Sequence, residues 1–417
     1  MSREVRLYLV GWGVVGFAVL NGIQPVLFNL YLLRLGYGIE FVGLVNAVGL
    51  LAYALFAFPS GLISNRFGVR RTMTAGVALC ALGFGLQPAA ELMPGVGQDA
   101  WIVAFQLLGT VGLSLFFVNS QPFLTDATGP QERNHAYSMR MAIGTASGFL
   151  GSLVGGVLPD LFAPLVGRSL SHPAPYRYSL LVAMVLCIPG VLAMLPLWGA
   201  DEDCDDEQAK VSGGSSAVPV WTFAAMALVS LLRMAGVGAS RTFFNVYLDD
   251  SLGVSTAQIG LLFAIVQLVS APVALTMPAL SERWGNYRLI IAGTWVIVAS
   301  TLPLALIPHW AAATLGRTGI YAVSSITDSA MGVYQMEIVP RRWRSVMAGV
   351  ASTALGLSWT MLAFGGGYVI SWLGYRTLFL ISATMTTAGV LLFWAVFRAN
   401  RGPGAASLSE EKLGSVT

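Results

Sequence analysis

The sequence predicts an all-α membrane protein with twelve transmembrane helices in two pseudo-symmetric bundles of six. Of its 417 residues, 56% are hydrophobic and only 10% are charged, whereas soluble domains carry about 25% charged residues. The chain also repeats itself, since FNLYL at 28–32 returns as FNVYL at 244–248, and NRFG at 65–68 returns as ERWG at 282–285. In an apolar chain, such a duplication indicates a site between two halves, near the middle of a membrane.

Apolar runs long enough to cross a bilayer follow one another along the chain. About 20 residues are needed to cross a hydrocarbon core of about 30 Å. The runs are continuous rather than alternating, which favours helices over strands. The predicted spans are 7–33, 41–63, 72–92, 100–125, 136–159, 178–198, 220–248, 256–279, 289–308, 311–336, 345–371 and 375–397.

The boundary of the repeat falls between the sixth and seventh spans and divides the chain into domains. We expect an N-terminal six-helix bundle over residues 1–198 and a C-terminal six-helix bundle over 220–400. The segment 199–219 holds a run of acidic residues followed by Gly and Ser, a composition that predicts a flexible linker. Residues 401–417 are expected to form a tail of the same kind.

The arginines predict the orientation of the spans. They cluster in the loops after spans 2, 4, 8 and 10 and near both termini, and basic residues prefer the cytoplasmic side. We therefore expect a multi-pass protein of the bacterial inner (plasma) membrane with both termini and the linker in the cytoplasm. The net charge of +3 is spread over separate short loops, so it does not indicate nucleic-acid binding.

The sequence has no pattern typical of an enzyme, a metal site or a cofactor site. Cys80, Cys187 and Cys204 have no paired ligand spacing, and the three histidines are scattered. Neither a phosphate-binding glycine loop after a strand nor a nucleophile–base pair is present. We expect a protein without cofactor or metal that acts as a monomer on a small-molecule solute.

The segment GLISNRFGVRR at 61–71, between spans 2 and 3, identifies a family. It resembles the signature loop of the major facilitator superfamily, in which a glycine is followed by an acid–arginine pair, a second glycine and a basic pair. The resemblance covers nearly the whole chain, because the two halves of six spans and a decayed second copy at 281–288 follow the same plan. It implies a secondary transporter that works by alternating access, with spans 1, 4, 7 and 10 around a central cavity.

The resemblance also implies a cytoplasmic gate built from charged loop residues. Asn65 stands where the family usually has Asp, which removes a charge and predicts a weaker latch in the N-terminal half. A second pair, Asp126 with Arg133, is matched at the same spacing by Glu337 with Arg344. The residues predicted to act in gating are Asn65, Arg66, Gly68, Arg70, Arg71, Asp126, Arg133, Glu337 and Arg344. Topology anchors or surface ion pairs of small energy are the alternative interpretation.

Two charged residues lie deep inside predicted spans. Asp328 is nine residues from Glu337 and thus about 14 Å deep, and Arg233 is near the middle of the seventh span. A charge there costs at least about 2.5–3.5 kcal/mol unless it meets water or a partner. We expect Arg233 to hold an anionic or carbonyl group of the solute and Asp328 to take up and release a proton. A structural salt bridge between the two helices is the alternative.

Other polar residues of the spans complete the candidate site. Arg233 and Asp328 correspond to Phe17 and Phe117 in the first half, so they break the symmetry, as an asymmetric solute requires. The repeated Asn29 and Asn245 are expected to serve the fold, since both halves kept them. The remaining candidates for solute binding or coupling are Asn21, Gln24, Gln106, Arg241 and Arg317.

These observations predict a proton-coupled transporter of a small organic solute, with two alternatives. One is multidrug or organic-compound efflux by proton antiport. Drug antiporters of the family carry Gly-Pro in the fifth span, where this chain has Gly151-Ser152, and an arginine in the fourth span, where it has Phe105-Gln106. The other is a membrane sensor of the same fold that does not transport, which only the missing acid at Asn65 favours.

Overall fold

The structure, a computed structural model, describes residues 2–93, 95–197, 220–339 and 344–398, and these residues form helices without strands. Ten segments are long and apolar enough to cross a membrane. One of them, Gly349–Phe397, contains two spans, because the backbone leaves helical geometry at Gly374 (φ 79°, ψ 169°). The helix Trp310–Glu337 supplies the remaining span, and it is more polar because it carries Arg317, Asp328 and several serines and threonines. The predicted fold of twelve membrane helices is confirmed.

The spans differ in whether their helix is continuous. The continuous helices are Ile39–Phe67 (span 2), Val69–Leu86 with the 3-10 turns Gln87–Leu92 (span 3), Val96–Asp126 (span 4), Pro130–Val166 (span 5), Pro173–Met194 with the 3-10 turn Leu195–Leu197 (span 6), Asn286–Leu306 (span 9) and Trp310–Glu337 (span 10). Spans 11 and 12 lie in Arg344–Phe397 and are divided at Gly374. The broken spans are Arg3–Val15, Gly16–Leu20 and Ile23–Arg34 (span 1), Val220–Arg233, Ala235–Val246 and Tyr247–Ser251 (span 7), and Thr256–Leu275 and Met277–Trp284 (span 8). Span 5 exceeds its predicted end at 159 by a full turn and more, since helical hydrogen bonding continues past the apolar run.

The sequence repeat is also a repeat of backbone geometry. Gly68 (φ 90°, ψ 144°) and Gly285 (φ 73°, ψ 152°) separate two helices at equivalent points of the two halves. Each donates its N–H to the carbonyl of a serine four residues earlier, Ser64 or Ser281, at 2.9 Å. Residues other than glycine rarely adopt such a φ. These two glycines therefore define the turn in both copies of the signature loop.

The described residues form two compact units, of which the first contains segments from both sequence halves and the second only segments of the second half. The first unit holds the chain up to Leu197 together with Thr242–Leu268 and Ala363–Ser371. The second holds the chain from Val220 to Arg241, Val269–Leu362 and the residues from Trp372 onward. We call the helix ends near Arg3 and Phe67 the proximal side and those near Arg34 and Ile39 the distal side.

Within the first unit, three interfaces join the distal parts of the two halves. Span 1 contacts span 7 through Asn29 and Asn245. Spans 5 and 8 approach so closely at Gly156 that a Cβ there would lie 2.8 Å from the Cα of Gly260. Spans 2 and 11 meet at Gly367, where a Cβ would lie 2.9 Å from the carbonyl oxygen of Ile39. Small residues allow this backbone-to-backbone packing in membranes.

Glycines also pack spans 3 and 4 of the first half against each other. A Cβ on Gly76 would lie 2.7 Å from the backbone nitrogen of Phe116 and 2.8 Å from the carbonyl oxygen of Gly112. Backbone atoms cannot rotate away as a side chain can. The space at Gly76 is therefore needed for the close contact between the two helices.

Replacing Gly76 by alanine is expected to destabilise the protein by about 1–3 kcal/mol through overpacking. The matched control is Gly365→Ala in a helix interior of span 11, where nothing lies within 4 Å of an added Cβ, and which should be neutral or stabilising by up to about 1 kcal/mol. Thermal unfolding of the purified proteins in one detergent measures both. Equal unfolding midpoints for the two variants would contradict the packing argument.

Candidate functional site

Arg233 lies at the break in span 7, as the last residue of the helix Val220–Arg233. Its side chain is only 3% exposed. Span 12 packs directly against its backbone, since a Cβ on Gly389 would lie 2.7 Å from the Arg233 nitrogen. The missing side chain at Gly389 thus lets the two helices enclose the arginine.

Arg233 and Asp328 form a direct ion pair in the second unit. The Nη2 atom of Arg233 lies 2.6 Å from Oδ1 of Asp328, and Nη1 donates to the hydroxyl of Thr327 at 3.2 Å. The side chain of Asp328 is 42% exposed, against 3% for Arg233. The pair therefore has a cation enclosed by protein and a carboxylate that remains accessible.

One N–H donor of the Arg233 guanidinium has no hydrogen-bond partner among the described residues. The Nε atom of Arg233 is buried and has no acceptor among the described residues. A buried donor without a partner costs about 1–3 kcal/mol. Arg233 consequently has hydrogen-bonding capacity beyond its contacts with Asp328 and Thr327.

The other two arginines predicted for the second unit contact aromatic rings and lie away from the ion pair. Arg317 is buried, donates to the carbonyl of Ser240 at 2.6 Å, and lies 4.7 Å from the ring centre of Tyr321. It precedes Asp328 by eleven residues, which is about 16 Å along the helix. Arg241 is exposed and lies 4.9 Å from the ring centre of Trp359.

In the first unit, three buried glutamines form a chain between spans 1, 3 and 4. Gln24 donates to Gln87 at 3.4 Å, and Gln87 donates to Gln106 at 2.6 Å. The structure thus brings two predicted site residues together through a third that sequence reasoning missed. Gln87 lies inside the predicted span 72–92, and a polar residue within an apolar run was the available signal.

Asn21 lies at the break in span 1, between the π-helical turn Gly16–Leu20 and the helix that follows. Its side chain is exposed, and its carbonyl accepts a hydrogen bond from Gln267 of span 8 at 3.0 Å. The same Gln267 amide donates to the hydroxyl of Ser152 at 3.3 Å. Ser152, which stands where drug antiporters have proline, therefore holds a polar contact that proline lacks.

The repeated asparagines bind each other with near two-fold symmetry. Asn29 donates to the carbonyl of Thr242 at 2.9 Å and to the side-chain oxygen of Asn245 at 3.2 Å. Asn245 donates in return to the carbonyls of Pro25 and Val26 at 3.0 and 3.2 Å. Each amide thus bonds the facing helix three residues before its counterpart. We call this contact of Asn29 with Asn245 the distal clasp.

An ion pair lies beside the distal clasp. Arg34 donates to Asp249 at 2.6 Å and to the carbonyl of Leu170 at 3.0 Å. Its guanidinium also lies 5.6 Å from the ring centre of Tyr176. The pair joins span 1 to span 7, and sequence reasoning missed it because the two residues are separated by about half of the chain.

The distal loops hold a further, half-buried hydrogen bond within the first half. The hydroxyl of Tyr37 donates to Asp99 at 2.5 Å. Burial and this hydrogen bond raise the pKa of Tyr37 above its ordinary value. The tyrosine therefore remains a neutral donor at physiological pH.

The residues predicted to act in gating lie at span ends in both halves of the chain. Arg70 forms an ion pair with Glu4 at 2.7 Å, Arg66 lies 5.5 Å from the ring centre of Phe67, and Arg71 is exposed. On span 10, Glu337 accepts a hydrogen bond from Asn286 at 3.4 Å. These contacts each lie within one half of the chain.

The structure places the predicted gating residues only in part. Gly68 forms the turn described above. The side chains of four others lie outside the described residues, so their predicted contacts remain predictions. These four are Asn65, Asp126, Arg133 and Arg344.

Sequence reasoning also missed a charged residue in span 5. Arg140 is 8% exposed, and its guanidinium lies 4.0 Å from the ring centre of Trp12 in span 1. An arginine five residues inside the segment His135–Val166 was a visible signal.

Comparison with known proteins places this geometry in context. The family model described as Major Facilitator Superfamily matches residues 10–225 and 226–416. An uncharacterized MFS-type transporter from Mycobacterium tuberculosis is 25% identical over 362 residues, which cover 83% of this chain and 78% of the relative. The multidrug resistance protein MdtH from Salmonella typhi is 21% identical over 366 residues, which cover 85% of this chain and 83% of the relative.

Solved structures share the fold at low sequence identity. The nucleoside transporter NupG, in a mutant form, matches with a TM-score of 0.72 and 14% identity, over 95% of this chain and 100% of that one. A D-xylose-proton symporter matches with a TM-score of 0.71 and 16% identity, over 94% of this chain and 97% of that one. Both similarities concern the fold.

Proposed function

The chain belongs to the major facilitator superfamily of membrane transporters, and we propose that it moves a small organic solute by alternating access, with proton coupling at Asp328. The observation that carries this proposal is the Arg233–Asp328 pair, whose cation is enclosed and whose carboxylate is accessible. A carboxylate at this depth is costly in lipid. It therefore faces water in the transport pathway, where it can exchange a proton.

The ion pair supplies a coupling mechanism. When Asp328 is ionised, it accepts from Arg233 and neutralises it. A proton that binds an oxygen of Asp328 removes the negative charge and weakens this bond. The Arg233 guanidinium then binds an anionic or carbonyl group of the solute. Release of the proton on the other side restores the ion pair and displaces the solute.

The contacts of the first unit support a state that is closed on the distal side. The distal clasp and the Arg34–Asp249 ion pair both join spans 1 and 7 there. In alternating access, this side opens only when these contacts break. Each then forms and breaks once in every transport cycle.

Reversing the charge of Arg34 is expected to open the distal side. Arg34→Glu places a second carboxylate beside that of Asp249. A repulsion of about 1.4 kcal/mol shifts the equilibrium between the closed and the open distal side tenfold. Thr242→Cys, buried beside the clasp, reports this opening through its rate of labelling by a membrane-impermeant maleimide added on the distal side. We expect labelling to become about tenfold faster.

The charge swap is the control for this experiment. Arg34→Glu combined with Asp249→Arg restores the ion pair and should return labelling to the slow rate. Cys204→Ser removes the linker thiol, while Cys80 and Cys187 are buried. Fast labelling of the swapped protein, or slow labelling of the single variant, would show that this ion pair does not hold the distal side closed.

The remaining features of the proposal concern topology and localisation. We infer that the proximal side is cytoplasmic, because arginines concentrate in the proximal loops. The bundles 1–198 and 220–400 are proposed to rock against each other as a monomer, joined by the linker 199–219, which lies outside the described residues. The homology to MdtH supports a bacterial inner membrane.

Multidrug efflux is the second candidate function, and the similarity to MdtH favours it. Ser152 and its contact with Gln267 argue against the drug-antiporter pattern of span 5. A drug transporter should accept many unrelated cations and neutral compounds. The single-solute proposal expects one chemical class.

Solute flux into proteoliposomes tests the proposal. Purified protein is reconstituted, a pH gradient is imposed, and uptake of a panel of sugars, nucleosides, organic acids and drugs is measured against empty liposomes. We expect gradient-dependent accumulation of one class. Absence of both flux and counterflow for the whole panel would reject transport, and accumulation that ignores the pH gradient would reject proton coupling.

A further inference from the structure

Arg140 is a buried cation without a countercharge among the described residues. It lies five residues inside the segment His135–Val166, which is about 7.5 Å along the helix, and is 8% exposed. Burial of an unpaired charge at this depth is costly. A residue kept there at such a cost needs a compensating partner.

The other buried or half-buried arginines of the described chain have such partners. The ion pairs include Arg34 with Asp249, Arg70 with Glu4, Arg177 with Glu91 and Arg233 with Asp328. The buried Arg317 donates to a backbone carbonyl instead. Arg140, by contrast, pairs with no carboxylate and no carbonyl in the part of the chain that the structure describes, and its guanidinium stacks on the ring of Trp12.

Each of these two residues has a buried donor without an acceptor among the described residues. The Nε of Arg140 and the Nε1 of the Trp12 indole are both buried and lack a hydrogen-bond partner among the described residues. The guanidinium lies 4.0 Å from the centre of the indole ring. The backbone of span 5 packs closely against the indole nitrogen at Gly144, where an added Cβ would lie 2.8 Å away. Donors without acceptors, together with one positive charge, favour an anionic ligand.

Aromatic rings surround this pair of donors. Phe116 and Phe117 of span 4 lie 5.7 and 5.1 Å from the Trp12 ring, and Tyr53 lies 6.5 Å from Phe117. Phe117 and Tyr53 are half-buried, so the cluster has an accessible edge. Such a wall suits the flat apolar body of a ligand whose charged group reaches Arg140.

We propose that Arg140 and Trp12 bind the carboxylate of an aromatic acid. One guanidinium and one indole N–H match a monoanion with two acceptor oxygens better than a dianionic phosphate, since the site offers one charge. This inference rests on the proposed transport function, because it assigns the chemical class of the solute to the same protein.

Benzoate and its neutral analogue benzamide test the site. Binding of each to the purified full-length protein is measured by isothermal titration calorimetry. We expect benzoate to bind the unmodified protein and benzamide to bind at least about tenfold more weakly. Arg140→Gln should weaken benzoate binding at least about tenfold, and Arg140→Lys should weaken it less, because the charge remains while the planar fork is lost.

Further variants separate a binding role from a structural one. Trp12→Phe keeps an aromatic ring but removes the N–H donor. It should weaken the binding of benzoate without altering the weak binding of benzamide. Arg398→Gln removes another arginine that stacks on tryptophan, 5.7 Å from the ring centre of Trp394, and should leave benzoate binding unchanged. If Arg140→Gln does not fold, the Trp12→Phe result and the benzoate-to-benzamide ratio decide.

Three results would overturn the proposal: benzoate that does not bind the unmodified protein, benzamide that binds as tightly, or Arg140→Gln and Trp12→Phe proteins that both bind benzoate normally. Failure of this inference is distinguishable from failure of transport. Benzoate binding that depends on Arg140 without any flux in proteoliposomes would retain the site and reject the transporter. Flux of a neutral solute without benzoate binding would reject the carboxylate site and retain the transporter.

Discussion

Replacing Asp328 by asparagine is expected to abolish proton-driven accumulation of the solute and to leave its exchange across the membrane intact. Asparagine has nearly the shape of aspartate and can still accept from Arg233, but it has no proton to release. The chemical link between the pH gradient and the solute is thus lost, while the solute site remains. The ratio of internal to external solute should fall to the value reached without a pH gradient.

Two proteoliposome assays measure this effect. Accumulation of the solute is measured under an imposed pH gradient. Exchange is measured as the entry of labelled solute when the total solute concentration is equal on both sides of the membrane. Asp160→Asn is the matched control, since Asp160 is another exposed carboxylate within a membrane helix of the first half. If Asp328→Asn retained both activities unchanged, Asp328 would not be the coupling residue.

Arg233→Ala is expected to weaken solute binding far more than it lowers thermal stability. Removal of one charge-assisted hydrogen bond costs about 1.5–3 kcal/mol, which corresponds to an affinity loss of about 10- to 150-fold. The cost to the fold is limited, because the Asp328 side chain left behind is 42% exposed and can be hydrated. Binding should therefore respond more than the unfolding midpoint.

Variants of the same pair make the second prediction decisive. Arg233→Lys keeps the charge but not the bidentate fork, and should have intermediate affinity. The double variant Arg233→Ala with Asp328→Asn removes both charges, so any stability lost through an unpaired carboxylate should return while solute binding stays weak. Unchanged solute affinity in Arg233→Ala would assign this arginine to the structure of the protein alone.

The spans could be predicted because the membrane imposes a simple rule. Each crossing needs an apolar run of fixed length, so composition along the chain indicates the helices before any contact is known. The same rule singles out Arg233 and Asp328, since a charge inside an apolar run is conspicuous. Counting residues along spans 7 and 10 placed both near the membrane centre, and the structure pairs them directly.

Contacts between distant segments could not be predicted in this way. Arg34 and Asp249 both lie near span ends, where charges are common, so neither attracts attention alone. Gln87 is one of many polar residues within the predicted spans, and only packing makes it the bridge between Gln24 and Gln106. Periodicity shows which residues lie in a span but not which span each residue faces.

The repeated asparagines also separate what the sequence predicts from what packing decides. Their recurrence predicted a role in the fold, and the structure shows Asn29 and Asn245 bound to each other in the distal clasp. A duplication implies an approximate two-fold axis, but the sequence does not say which equivalent residues meet on that axis. That is decided by the packing of spans 1 and 7 within the first unit.

The sequence by itself determined the number of spans, the two-fold plan, the family and the two deep charges of spans 7 and 10, because each depends on hydrophobicity and spacing along the chain. Tertiary structure alone decided which charges are neutralised. Asp328 pairs with Arg233, while Arg140 meets the indole of Trp12. The energy of a buried charge depends on its neighbours within a few ångströms, and these neighbours come from distant parts of the chain.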